Sequence, residues 1–149
     1  MPHQTLPPAI VANTRESFES LLSKEWLLSN QIGAYASSSV IGCNTRRYHS
    51  LLVAATVPPV GRIAALATVM EELLAGGERF ELATNEFPDA VAPRGFELLD
   101  QFVNDVCPRF IYRAGPAELT KEVLLAESDN IVALRYHLSG APARLILRP

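Results

Sequence analysis

The sequence predicts a mainly β domain, an antiparallel β-sandwich with at most one or two short helices. Three observations carry this. Apolar and polar residues alternate over segments 117–126, 130–138 and 143–148, and a period of two puts every second side chain on one face of a sheet. Turn residues such as Ser128-Asp129-Asn130 and Ser139-Gly140-Ala141-Pro142 separate these segments at short spacing. Finally, 149 residues with 48% hydrophobic and 19% charged content can bury a core without disulfide or metal staples.

Residues 1–12 carry three prolines and little pattern, and residues 1–24 read as a lead-in. Asn13 followed by Glu16 resembles a capping box, and Phe18, Leu21 and Leu22 fall at helical spacing, which allows one short helix. The sandwich is expected over 25–149. Trp26 and Leu28 alternate with Glu25 and Ser29. Segment 46–55 grows progressively apolar and is stopped by Pro58, Pro59 and Gly61. Segment 62–75 is ambiguous. Ile63, Leu66, Met70 and Leu73 fit a helix, whereas Gly76-Gly77 and the alternation of Arg79, Phe80, Glu81 and Leu82 fit a hairpin. Segment 96–103 has the same ambiguity. In 130–138, Val132, Leu134, Tyr136 and Leu138 share one strand face, with Arg135 and His137 on the other. The chain ends at Pro149 just after an apolar strand, which suggests a large sandwich cut short, with Leu147 on an exposed edge that favours self-association.

Thirteen Lys and Arg against sixteen Asp and Glu give 13 − 16 = −3. That acidic balance suits neither nucleic acid nor an anionic membrane surface. Eleven of the thirteen cations are Arg, which supplies planar, bidentate donors. Cys43 and Cys107 form no metal pair or redox motif and read as buried free thiols, with a disulfide as the alternative. The N-terminus has no signal-peptide pattern, and no apolar run is long enough to span a membrane, so the expected location is the cytoplasm. No cofactor or metal is expected: His3, His49 and His137 are dispersed, and no phosphate loop, nucleophile elbow or zinc helix is present. Glu71-Glu72 is a carboxylate pair, but neighbours on a strand point to opposite faces, and the pair reads as a solvated hairpin face.

One cluster is unusual. Asn44, Thr45, Arg46, Arg47, Tyr48 and His49 place two guanidinium groups, a phenol, an imidazole and an amide in six residues. On a strand, Arg47 and His49 would face one side and Arg46 and Tyr48 the other. Such donors grip sugar hydroxyls, and aromatic faces cover the apolar side of a pyranose. They equally suit carboxylates on a partner domain, or ordinary ion pairs at an exposed strand end. Trp26 and Tyr35 could stack on sugar or belong to the core.

Read together, EWLLSNQIGAYASSSVIGCNTRRYHSLLVAA followed by PPVGR resembles the N-terminal domain of bacterial and archaeal glycogen debranching enzymes of the amylo-α-1,6-glucosidase type. The resemblance continues through Glu71-Glu72, Thr84-Asn85-Glu86-Phe87-Pro88 and the Lys121-Glu122 strand, covering about residues 25–149. Gln31, Ala34 and Ser50 stand where the family pattern has glycine. The resemblance implies a β-sandwich joined to a separate C-terminal helical barrel that holds the catalytic acid and base. The parent would be a glycoside hydrolase that cuts α-1,6 branch points of glycogen or limit dextrin. The 149-residue chain alone is then expected to be inactive, with no catalytic residue of its own. Asn44, Arg46, Arg47, Tyr48 and His49 would serve substrate binding or the contact with the barrel. The competing readings are a stand-alone carbohydrate-binding module and a generic protein-interaction sandwich.

Overall fold

Alternating burial organises the chain into strands that are all paired antiparallel. The structure is a computed structural model and describes residues 10–13, 15–57 and 60–149. In chain order the strands are Ile10–Asn13 (β1), Glu25–Ser29 (β2), Tyr35–Ser39 (β3), Ser50–Val57 (β4), Gly61–Leu66 (β5), Met70–Ala75 (β6), Glu78–Glu81 (β7), Thr84–Phe87 (β8), Ala90–Arg94 (β9), Leu99–Asn104 (β10), Pro108–Ala114 (β11), Ala117–Leu125 (β12), Val132–Gly140 (β13) and Ala143–Arg148 (β14). A single α-helix, Phe18–Ser23 (α1), and a 3-10 turn at Gly95–Glu97 complete the described elements. The mainly β expectation therefore holds.

The strands form a five-stranded sheet β1-β10-β11-β12-β13, a four-stranded sheet β2-β3-β4-β5, a three-stranded sheet β14-β6-β7 and the ribbon β8-β9. One core joins the three larger sheets. Phe110, Tyr112 and Ala114 on β11 and Ala117, Leu119 and Val123 on β12 turn inward at alternate positions. Trp26 from β2 meets the Phe110 ring edge-on at 6.2 Å, and Phe102 from β10 meets it at 5.0 Å. Leu73 from β6 and Leu21 from α1 close the same cluster. Each such fully buried apolar side chain contributes about 1.5–3 kcal/mol, and Leu119→Ala would cost about 2–5 kcal/mol through the cavity it leaves.

Several expectations change. The segment read as a lead-in with one possible short helix does contain that helix, α1, which buries Leu21, but it also contains β1, which pairs with β10; residues 1–9 and 14 lie outside the described residues. The helix is capped by Ser17, whose Oγ accepts the Ser20 N–H at 3.2 Å, and not by Asn13, whose backbone is taken up in the β1 ladder. Segment 62–75 resolves as β5 and β6, the second of which forms a hairpin with β7. Gly76 and Gly77 sit at φ +59° and +81° in its turn, the pair of left-handed positions that a tight hairpin requires. Segment 96–103 splits into the end of the 3-10 turn and most of β10. Gln31, Ala34 and Ser50 all avoid positive φ, so their backbone geometry does not demand glycine. Both cysteines are buried free thiols, and burial pushes each thiol pKa up. Leu147 lies on the edge strand β14, as expected, and is 45% exposed.

Glu71 and Glu72 do point to opposite faces, but neither is solvated; both are 4% exposed. Glu71 is met by Lys121 Nζ at 2.5 Å and by the Tyr136 hydroxyl, which donates at 2.7 Å. Glu72 is met by Arg79 at 2.8 Å and Arg148 at 2.7 Å. Burial, and then Glu71, push the Tyr136 pKa up, so its hydroxyl stays a donor. The pairing ties β6 to β12 and β13 across the sandwich. No helix among the described residues is long and apolar enough to cross a membrane, which says nothing about a strand-built barrel.

Candidate functional site

The Asn44–His49 cluster is a turn and not the end of a strand. β4 begins only at Ser50, and the His49 N–H donates to the Arg46 carbonyl at 3.0 Å. The base of the loop is fastened by the hydroxyls of Ser38 and Ser39 on β3, while Ser37 Oγ donates to the Trp26 carbonyl at 2.8 Å. Ser39 Oγ accepts the Cys43 N–H at 3.0 Å and donates to the Cys43 carbonyl at 2.8 Å. Ser38 donates to Asn44 Oδ1 at 2.8 Å, and Asn44 Nδ2 donates to the Ala67 carbonyl at 3.0 Å.

His49 holds the turn from inside. Its side chain is fully buried, and Nδ1 accepts two backbone N–H groups, from Thr45 at 3.0 Å and Arg46 at 3.2 Å. A nitrogen that accepts carries no proton, so in the neutral ring the proton sits on Nε2. Nε2 lies 3.4 Å from Glu25 Oε1 without a well-aligned hydrogen bond. Burial pushes the His49 pKa below its ordinary value, and nearby Glu25 only partly opposes this.

Glu25 is the outer anchor of the cluster. Its carboxylate accepts from Arg46 Nε at 2.8 Å and from the Tyr48 hydroxyl at 3.3 Å. The Arg46 hydrogen bond holds the Glu25 pKa below the usual carboxylate range. Arg46, Tyr48 and His49 therefore converge on one carboxylate, and the strand-based grouping of Arg47 with His49 does not occur. Arg47 is exposed at the tip of the turn and has no hydrogen-bond or ion-pair partner among the described residues.

A groove of about 500 Å³ opens beside this turn on the outer face of the four-stranded sheet. Glu25, Leu27, Gly33, Tyr35, Tyr48 and Arg62 line it. Arg62 Nε donates to the Gly33 carbonyl at 3.0 Å, which fixes the guanidinium over the groove. Gly33 is at φ +84°, and a Cβ there would stand 3.2 Å from Arg62 Nη2. The rim is pinned to the five-stranded sheet: Asn30 Nδ2 donates to the carbonyls of Ala126 and Asp129, each at 2.9 Å.

Tyr35 is half-buried in this groove. Trp26 also borders the groove but is 3% exposed, and its indole N–H donates to the Ser39 carbonyl at 3.1 Å. That ring is built into the core and has no free face for a sugar. Sequence reasoning missed Glu25, Gly33 and Arg62 as site residues. Each stands in a motif segment already singled out, which was the available signal. Among the described residues, no group of three His, Cys, Asp or Glu side chains could hold a metal ion.

Comparison with protein families matches residues 24–149 to the model described as glycogen debranching enzyme N terminal. Neither the search of curated proteins nor that of solved structures gave a match. The family match runs from the residue before Glu25 to the end of the chain and takes in the turn, the groove and the buried Glu71 cluster. On that ground the chain belongs to the family of glycogen debranching enzyme N-terminal domains.

Proposed function

We propose that this domain is the non-catalytic N-terminal part of a cytoplasmic glycoside hydrolase that cuts α-1,6 branch points of a branched α-glucan. Its turn of residues 44–49 packs against the catalytic helical barrel and helps shape the entrance for the substrate. The observation that carries this reading is Arg47, a guanidinium unpaired among the described residues, on a turn that Glu25, His49 and Asn44 hold in place. A guanidinium carried on a turn held in this way is free to grip hydroxyls or carboxylates supplied from outside the domain.

The carboxylates support the accessory role. Hydrolysis of a glycosidic bond needs a protonated acid and a second carboxylate on either side of that bond. Glu25, the carboxylate at the groove, is engaged by Arg46 and Tyr48 and has a lowered pKa, the opposite of what a general acid needs. Glu71 and Glu72 are consumed by their own cations in the interior. The test is glucose release from phosphorylase-limit dextrin. The purified 149-residue chain should release none above a buffer control, and the enzyme that carries the domain should release it. Release by the chain alone, abolished by substituting one of its carboxylates, would refute the reading.

A further inference from the structure

We infer that the groove beside the turn is a subsite for a linear α-1,4-linked glucose chain. The inference rests on the reading above, that the domain serves a branched α-glucan, and adds where an unbranched stretch of that glucan lies.

Four separated motif segments meet in this one groove. Glu25 and Leu27 come from EWL, Gly33 and Tyr35 from GAY, Tyr48 from NTRRYH and Arg62 from PPVGR. Pairing in the sheet β2-β3-β4-β5 brings Glu25, Leu27, Tyr35 and Arg62 side by side, and the turn adds Tyr48. Leu27 is 62% exposed and Tyr48 is 51% exposed, so both leave apolar surface in water beside fixed polar groups. The groove's volume of about 500 Å³ falls within the range of small-molecule sites, about 300–1,000 Å³, which are mostly apolar with a few placed polar groups.

The mixture of groups selects the ligand. A glucose ring has one apolar C–H face and a belt of hydroxyls that both donate and accept. Leu27 and the rings of Tyr35 and Tyr48 offer apolar surface, while the tyrosine hydroxyls, the Glu25 carboxylate and Arg62 surround it with donors and acceptors. Arg62 has no carboxylate partner among the described residues; its Nε is used by Gly33, which leaves the terminal nitrogens for a ligand. Gly33 has no side chain to block that guanidinium, because a Cβ would stand against it. A protein-docking surface would instead present a continuous apolar centre with its polar groups at the rim. Here the polar groups are interleaved with the apolar ones inside a concavity.

The experiment titrates the 149-residue chain with maltoheptaose by calorimetry and by amide chemical-shift mapping, with cellohexaose as the control of different linkage. Saturable binding is expected for maltoheptaose and not for cellohexaose, with shifts centred on Gly33, Tyr35, Tyr48 and Arg62. Arg62→Ala and Tyr35→Ala should each weaken binding by about tenfold or more. Leu27→Asp, at an exposed position that leaves the core intact, should also weaken it and guards against a folding defect in the other two. Absence of saturation, shifts centred elsewhere, or unchanged affinity in Leu27→Asp overturns the inference. So does protection of the groove by the added catalytic barrel without any response to maltoheptaose, which would make it a domain interface. Release of branch-point glucose by the enzyme without maltoheptaose binding here defeats this inference alone. Binding without such release defeats the hydrolase reading and leaves the groove standing.

Discussion

Glu71 and Glu25 are each met by one cation and one tyrosine hydroxyl, yet the two clusters do different things. Glu71 sits inside the sandwich with Lys121 and Tyr136, and its carboxylate and the Lys121 ammonium are both nearly out of water. Glu25 sits at the surface with Arg46 and Tyr48, and Arg46 remains 57% exposed. Inside, the groups satisfy one another and fix how three strands meet. At the surface, the same chemistry holds a backbone turn in shape and leaves the next guanidinium, Arg47, without a partner among the described residues. Desolvation decides the difference: a buried charge must be matched, whereas an exposed one can be left for a ligand.

The largest effect should come from breaking the inner cluster. Lys121→Met should destabilise the fold by about 3–5 kcal/mol, because Glu71 is left buried without a counter-charge, with only the Tyr136 hydroxyl to satisfy it. Adding Glu71→Leu should recover much of that loss, since an apolar pair removes the desolvation cost altogether. Chemical denaturation of the single and double variants checks this. A double variant no more stable than the single one would mean that packing, not the charge, sets the cost.

His49→Ala comes next. It strips the acceptor from two backbone N–H groups and should cost about 1–3 kcal/mol. His49→Asn, which can return an acceptor oxygen, should recover part of this. The same residue sets a pH dependence. The folded pKa lies below the unfolded value of about 6.5, so the unfolded chain binds the proton first as pH falls. Stability is therefore full above about pH 6.5 and declines below it, by at most about 1.4 kcal/mol per pH unit from this group. Glu25, also lowered, adds a further loss below its ordinary pKa. Denaturation across this pH range should show the first decline in the parent and not in His49→Asn.

How much of this could be read from sequence follows from the range of the interactions. Alternation in 117–126, 130–138 and 143–148 became β12, β13 and β14, because an inward face is written locally. The Gly76-Gly77 hairpin was likewise local. The burial of Glu71 depends on Lys121 and Tyr136, both far along the chain, and no local pattern announces them. The turn at 46–49 escaped for a different reason. Its apolar continuation into β4 looks like strand, but one side chain competes with the ladder by taking two backbone N–H groups on His49 Nδ1. Asn13 was a sound cap by residue type. Its pairing partner on β10, Gln101, claimed the backbone instead, and Ser17 took the role.

The smallest effect on stability and the clearest effect on function should fall on Arg47. The central claim is that the Glu25–His49 framework exists to hold this guanidinium free for something outside the domain. The direct measurement is Arg47→Ala in the enzyme that carries the domain, with thermal unfolding and catalytic efficiency on a branched dextrin determined on the same preparation. An unchanged unfolding midpoint with efficiency lower by about 10- to 150-fold, the loss of one charged hydrogen bond, is the predicted result. Parental efficiency in Arg47→Ala, or a loss that merely tracks unfolding, would contradict the account.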